Sequence, residues 1–527
     1  MPVYNVRPQW LHEAIASVRR QTYANWELCI VDDCSTDKAL RRILLESAAK
    51  DDRIRVRLLE ENLGIAGASD AALAMARGEF VGLLDHDDML ADNALAQVVR
   101  LINQQPDIDL IYSDEDKITE QGQRYAPFFK PDFGPDTLRS YNYICHFTVI
   151  RTDVVRAVGG FRPGYDGSQD YDLFLRVCDH TPRIAHIPEI LYHWRAVAGS
   201  VGRDGAAKPY AYQSAKKALA DHLQRRGLRG RVEDGFFLGS YHIQYEIPKA
   251  PEVTIIIPTR DKADVLRRCI DSVLEKTTYA NYRILIVDNG SSEPATHRYY
   301  EQLGREERIR IIHYAREFNF SALNNFAVRQ VQSGYLVFLN NDTEVITPQW
   351  LEEMVGLGQR QDVGAVGCLL LYENDTVQHG GVIIGIGGIA GHAHKHYSVD
   401  EEGYFGRLKV VQNLSAVTAA CLLLRRQVFD EVGGFSEELS HAFNDVDLCL
   451  KIREKGYLNV YTPFARLYHH ESISRGLETS RAKRERFNRE RLYCEKRWKK
   501  VLQAGDPYYN PNLSLTREDF SLNLESC

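Results

Sequence analysis

Short apolar runs alternate with amphipathic stretches along this chain. "WELCIVDD" and "RILIVDN" have the length and β-branched content of strands, as do "EFVGLLD" and "YLVFLN". "DNALAQVVRLINQQ" repeats apolar residues at i, i+3, i+4 and i+7, which predicts a helix. Strands of this kind separated by helices imply parallel βαβ units with helices on both faces of a sheet, an α/β fold. "AAKPYAYQSAKKALADHLQRRG" predicts a further helix that stops at Gly227, followed by a polar link to Pro251.

The pattern occurs twice. "QTYANWELCIVDDCSTD" at 21–37 returns as "TTYANYRILIVDNGSSE" at 277–293, and "GEFVGLLDHDD" at 78–88 returns as "SGYLVFLNNDT" at 333–343. "VGGF" at 158–161 returns at 432–435, and "SQDYDLFLRV" at 168–177 as "FNDVDLCLKI" at 443–452. The later motifs lie farther apart because the second copy holds about nineteen extra residues, near "HGGVIIGIGGIAGHAHKHY". Each copy is domain-sized, so this is a tandem duplication. The second copy opens on a strand, "PEVTIIIPTRD", whereas the first begins at Met1-Pro2, where that strand would already be ending. The first copy is therefore expected to lack its first strand, with unpaired backbone groups beside Ile30 and Leu83.

Composition adds little to the fold and narrows the function. The 527 residues exceed one core, 44% are hydrophobic and 26% charged, and a net charge of −7 argues against a general nucleic-acid binder. No apolar run reaches about 18 residues, and the N-terminal stretch has no apolar segment of a signal peptide. Ten cysteines without a CxxC pair read as reduced thiols of a cytoplasmic protein.

The chemistry sits where strands end in acids. Asp85, Asp87 and Asp88 close an apolar strand, and like charges this near one another call for a cation or solvent. A helix cap at Asp88 or Asp92 accounts for one or two of them, and a divalent metal at the carboxyl end of the strand accounts for the group. The second copy has Asn340 and Asp342 in place of Asp85 and Asp87.

The Pro-Xaa-Tyr opening (Pro2, Tyr4), "IVDDCSTD", "DHDD", "VGGF" and "QDYDL" followed by a histidine together resemble the inverting family 2 glycosyltransferases of the GT-A fold, here as a tandem pair. The second copy, with "FLNNDTE", "SAVTAACLLLRR", "FNDVDLCLK" and "HHESISRG", is similar to bacterial surface-polysaccharide and rhamnosyltransferase-like members. The resemblance implies two Rossmann-like GT-A domains, at 1–203 and 251–476, a helical linker at 204–250 and a basic helical tail at 477–527. It implies transfer of a hexosyl or deoxyhexosyl group from a UDP-, dTDP- or GDP-sugar, with Mg²⁺ or Mn²⁺, to a growing glycan that is lipid-linked in such systems. By the same resemblance Pro2, Tyr4, Asp32, Asp85, Pro258, Asp288 and Asn340 contact the nucleotide sugar. Asp85, Asp87 and His193, and Asp342 with His469 or His470, hold the metal. Asp170 and Asp445 are the catalytic bases, each beside an amide, Gln169 or Asn444, where the family has Glu. Helix capping is the competing role for both aspartates. The rival to two active domains is one active domain beside a degenerate scaffold.

Three further segments have weaker readings. "HAHKH" would place His392, His394 and His396 on one face of an extended segment, a zinc-compatible set or an acceptor-side loop. "SDEDK" at 113–117 is a candidate second cation site or acceptor-side segment. The stretch 480–500 holds ten Lys/Arg against three Glu, with Phe487, Cys494, Trp498 and Val501 on one stripe. It suits either the surface of an anionic membrane or packing against the second domain.

Overall fold

The computed structural model describes residues 1–196, 209–471 and 481–524. The expected boundaries at 203 and 476, and "SISRG" at 472–476, lie outside the described residues. The chain divides into two compact units, Met1–Phe133 with Leu138–Ile243, and Gly134–Thr137 with Gln244–Cys527.

In the second unit one sheet runs through the whole core. Its strands lie in the order Ile309–His313, Tyr282–Asp288, Val253–Thr259, Tyr335–Leu339, Cys421–Arg425, Val363–Leu371, Leu458–His469 and Thr343–Val345. The first four are parallel, and Cys421–Arg425 enters antiparallel. The "TIII" run reads as continuously apolar because both faces of that strand are covered: Ile255 and Ile257 enter one core, Ile256 the other. Each such fully buried Ile contributes about 1.5–3 kcal/mol relative to exposure. The helix Ala263–Lys276 packs on one face through Leu266, Cys269, Ile270 and Val273.

The first unit uses the same elements with one interruption. Pro2–Val3, Leu28–Asp32 and Ile54–Leu58 form a three-stranded parallel sheet. A separate six-stranded sheet has Phe80–Gly82 at its edge, followed by Thr148–Arg151, Leu110–Ile118, Ile184–Arg195 and Met89–Leu90, with Arg124–Phe128 paired to Leu110–Ile118. In the second unit the single strand Val253–Thr259 joins the corresponding halves.

The repeated "GGF" is a backbone requirement. Gly159 and Gly160 have φ of +86° and +61°, and Gly433 and Gly434 have +76° and +65°. A Cβ at Gly160 would lie 2.2 Å from Asp70 Oδ1, and one at Gly434 2.7 Å from Asn325 Oδ1 and 2.9 Å from the Phe429 ring. Only glycine turns the chain there without strain or overlap. After the first copy, the helix Pro209–Arg225 is followed by two paired strands, Gly230–Asp234 and Tyr241–Tyr245, where a polar link was expected.

Candidate active site

In the second unit three strand ends and one helix start converge. Asp288, at the end of Tyr282–Asp288, is buried and accepts from Ser291 N, Tyr300 Oη and His313 Nδ1 at 2.9–3.1 Å. Burial alone would raise its pKa. The donors from Ser291, His313 and Tyr300 outweigh that and hold the carboxyl below its ordinary value, as an anion.

Beyond Leu339, Asn340 and Asp342 meet His469 at the end of Leu458–His469. His469 Nε2 is 3.2 Å from Asp342 Oδ1 and 3.2 Å from Asn340 Nδ2. Its Nδ1 lies 2.7 Å from Gln378 Oε1, so Nδ1 carries the proton and Nε2 presents a lone pair toward the carboxylate. A lone pair and a carboxylate oxygen at this separation favour a cation between them. The donor set, one carboxylate and one imidazole oriented by an amide, fits a divalent ion that draws its other ligands from phosphate and water. His470 is turned away, with Nδ1 2.6 Å from Glu373 Oε1.

Asp445 lies in the first turn of the helix Asn444–Glu454, whose cap position is taken by Phe443. Its Oδ2 accepts from Ala419 N at 3.1 Å and its Oδ1 from Val446 N at 2.9 Å. The loop carrying Ala419 is itself pinned by Thr418 N donating to His379 Nε2 at 3.2 Å. Burial drives the His379 pKa down to about 3, so this ring is a neutral acceptor.

In the first unit the counterparts are arranged differently. Asp32 is fully buried, neither of its oxygens has a hydrogen-bond donor, and Arg41 Nε stands 3.4 Å away. Asp33 instead accepts from Leu63 N, and its counterpart Asn289 donates to Tyr314 O and Arg316 O, so both tie loops together. Asp85 comes within 4.8 Å of Asp88 and His146, a group able to hold a cation. Asp87 and His193 stand apart from it: His193 Nδ1 is bonded to Asp116 Oδ1 at 2.6 Å, and the Asp87 carbonyl accepts from Arg195 Nε. Asp88 caps no helix, because its oxygens accept from Tyr192 Oη and Arg195 N. Asp170, in the first turn of Gln169–His180, accepts from Asn142 Nδ2 at 3.1 Å. Burial raises its pKa despite nearby His146. Pro2 O lies 3.1 Å from His86 Nδ1, while Tyr4 is exposed.

The model of the family described as "Glycosyl transferase family 2" matches residues 1–159 and 254–433, more than half of the chain. The chain belongs to glycosyl transferase family 2. This family 2 chain is 49% identical over 528 residues to a Sinorhizobium fredii protein described as uncharacterized, covering 99% of this chain and 58% of that protein. It is 40% identical over 524 residues to the O-antigen biosynthesis protein RfbC of Myxococcus xanthus, covering 99% of this chain and 40% of RfbC. It thus spans about half the length of these relatives. Among solved structures, GalNAc-T7 with UDP, GalNAc and Mn²⁺ superposes with a TM-score of 0.38 at 14% identity, covering 46% of this chain and 47% of that one. The second unit's sheet, parallel in its first half and mixed in its second, is the GT-A arrangement that the family implies.

Several smaller expectations for this family 2 chain are corrected by the structure. "HAHKH" is not extended: His394 and His396 have φ of +57° and +66°, which turns the three rings apart. His392 bonds to Gln378 O, His394 stacks on Phe520 and His396 on Tyr372, so they form no zinc set. In "SDEDK" each acid has its own partner, His186 for Asp114, Lys130 for Glu115 and His193 with Arg124 for Asp116, which leaves no second cation site. The tail helix Arg481–Arg497 buries Cys494, and Trp498 donates to Asp447 at 3.0 Å, so its apolar stripe packs on the second unit. Sequence patterns did not single out Gln378, His146 or Asn142. Each acts through a neighbour distant in sequence, and only the "HGG" beside Gln378 hints at a special place.

Proposed function

We propose that the second unit transfers a sugar from a UDP-, dTDP- or GDP-sugar to a growing bacterial surface glycan, with inversion at the anomeric carbon, and that the acceptor is lipid-linked. One observation carries the reading: Asp288, the Asp342–His469 pair and Asp445 stand at the ends of strands of one sheet and the start of one helix, each held by defined partners. In this reading Asp288 accepts from the donor's base, and Pro258 and Asn340 line the path of the diphosphate. Asp342 and His469 would hold Mg²⁺ or Mn²⁺, which supplies positive charge against the diphosphate leaving group. The acceptor oxygen bonds to the anomeric carbon as the bond from that carbon to the diphosphate oxygen breaks. The acceptor proton passes to a carboxylate oxygen of Asp445. Ala419 N and Val446 N orient that carboxylate.

In the first unit Asp32 awaits a base, Asp85 with Asp88 and His146 is the metal region, and Asp170 is the base. The buried Asp32 carboxylate without a donor favours this site, since a ligand N–H would satisfy it. The His193–Asp116 bond, where the second unit has the Asp342–His469 pair, favours the rival reading, in which this chain turns over at the second unit and uses the first as a glycan- or nucleotide-binding partner. The basic outer face of the tail, with Lys499 and Lys500 exposed, suits contact with an anionic membrane. Incubating the chain with each nucleotide sugar and Mn²⁺ tests the reading: cleavage should need metal and fall about 10²–10⁴-fold in Asp445→Asn while donor binding persists. Unchanged cleavage in that variant would leave Asp445 a structural residue.

A further inference from the structure

Glu490, in the tail helix Arg481–Arg497, is 2% exposed and has no cation partner among the described residues. A carboxylate taken out of water in this way needs hydrogen-bond donors. All of its donors come from one short loop of the second unit. Glu490 Oε1 accepts from Ser440 N at 2.9 Å, Ser440 Oγ at 2.7 Å and His441 N at 3.1 Å, and Oε2 accepts from Ala442 N at 2.8 Å. Successive backbone N–H groups turned to one anion hold the peptide planes between them in a single orientation.

The loop leads directly to Asp445. Phe443 follows it with φ of +59°, a conformation that a residue with a bulky side chain keeps only when its surroundings impose it. Its ring lies 5.4 Å from that of Phe487 on the tail helix, and Asn444 Nδ2 donates back to His441 O at 3.2 Å. Past Asp445 the tail meets the helix Asn444–Glu454 again: Trp498 Nε1 donates to Asp447 Oδ1 at 3.0 Å, and Arg497 Nε lies 3.1 Å from the same oxygen. The tail thus holds the chain on both sides of Asp445, while the Asp445 carboxylate itself is met by Ala419 N and Val446 N.

The duplication shows the same contact in a weaker form. Aligning "SQDYDL" with "FNDVDL" makes Tyr165 the counterpart of Ser440 and Ser168 that of Phe443, and the helix Pro209–Arg225 meets both. Asp221 on that helix accepts from Tyr165 Oη, and Ser168 Oγ donates to Ala211 O at 2.8 Å. In each copy, then, an acid of the following helix takes the hydroxyl of the equivalent loop residue. The backbone N–H groups are added only in the second copy, where Asp445 stands beside an assembled metal pair.

We propose that Glu490 is a positioning residue: by fixing Ser440–Ala442, and through them the left-handed turn at Phe443, it sets the direction in which the Asp445 carboxylate leaves the start of its helix. The hold on the loop stands on its contacts alone, and the consequence for catalysis rests on the reading of Asp445 as the base. A base displaced by about an ångström can lose on the order of 10²-fold in rate. Donor and metal binding would be spared, because Asp288, Asp342 and His469 lie on other elements.

The test compares the full chain with Glu490→Gln, which keeps the size of the side chain but turns one acceptor into a donor, and with the milder Ser440→Ala, which removes the hydroxyl donor alone. Cleavage of UDP-glucose, dTDP-glucose and GDP-mannose is measured with Mn²⁺, and hydrogen exchange is followed by mass spectrometry over 437–447 and 335–345. Glu490→Gln should lower kcat at least about 10-fold with the KM for the donor within about twofold, and should speed exchange over 437–447 at least about 10-fold while 335–345 is unchanged. Ser440→Ala should move kcat and the exchange of 437–447 the same way by about two- to threefold. Combined with Asp445→Asn, Glu490→Gln should slow cleavage no further, since it acts through a carboxylate already removed. Unaltered exchange over 437–447, an unchanged kcat, or a further slowing in the double variant would overturn the positioning role. Cleavage that survives Asp445→Asn would instead remove the base, and the exchange rates tell that result apart from a loop that Glu490 does not hold.

Discussion

The two units of this chain hold nearly the same motifs and differ in how far their sites are assembled. In the second, Val253–Thr259 lies between Tyr282–Asp288 and Tyr335–Leu339, so Asp288 and Asn340 end strands of one sheet, with a single strand between them. In the first, Asp32 and Asp85 end strands of two sheets. The difference appears in the contacts: Asp342 and His469 face each other at 3.2 Å, whereas Asp87 and His193 do not pair and His193 is bonded to Asp116. Residue types alone do not make a site: Asp87 lies between two strands of the same six-stranded sheet that holds His193, yet Asp116 takes the His193 ring.

The largest effect that can break this comparison is catalytic. Asp445→Asn should lower donor cleavage about 10²–10⁴-fold, or roughly 3–5 kcal/mol of barrier, and Asp170→Asn in the same chain should change it less than about threefold. Equal losses in steady-state assays would mean that both units turn over. Next in size are the glycine turns, where the copies should behave alike. Gly160→Ala and Gly434→Ala each add a Cβ against a neighbour at positive φ, and should destabilise their own unit by about 2–3 kcal/mol in urea unfolding. A neutral result at either would remove the backbone explanation for "GGF".

Smaller effects sharpen the comparison. Gln378→Leu removes the acceptor that orients His469 and should weaken Mn²⁺ binding about 10-fold, measured by calorimetry with nucleoside diphosphate present. The same titration with Asp116→Asn should be unchanged if the second unit supplies the measured site. Smallest is the tail: Lys499→Gln and Lys500→Gln together should weaken binding to vesicles containing phosphatidylserine by about 1–2 kcal/mol at low salt. Unchanged vesicle binding would remove the membrane contact from the account and leave the helix as a packing element.

Much of this was legible in the sequence where one residue's role follows from its own strand or helix. "TIIIPT", "ILIVD" and "YLVFL" announce buried parallel strands because both of their faces are covered, and Asp288 and Asn340 follow as their end residues. Asp170 and Asp445 were picked out by the resemblance of "QDYDL" and "NDVDL" to the family motif, each behind a "GGF" that has a steric cause. The rest depends on long-range partners. Nothing near His469 says that Gln378, about ninety residues earlier, orients its ring, and nothing near Asp88 says that Tyr192 and Arg195 occupy it. The histidines of "HAHKH" misled because periodicity assumes an extended backbone, and left-handed residues at His394 and His396 break it.

The central claim is that this chain has one assembled donor site, in the second unit. Calorimetric titration of the full chain with UDP, dTDP and GDP, each with Mn²⁺, tests it through stoichiometry. The nucleotide that binds should saturate at one per chain, and Asp288→Asn should abolish that binding while Asp32→Asn leaves it intact. Two equivalent sites per chain, or binding lost with Asp32→Asn and kept with Asp288→Asn, would contradict it.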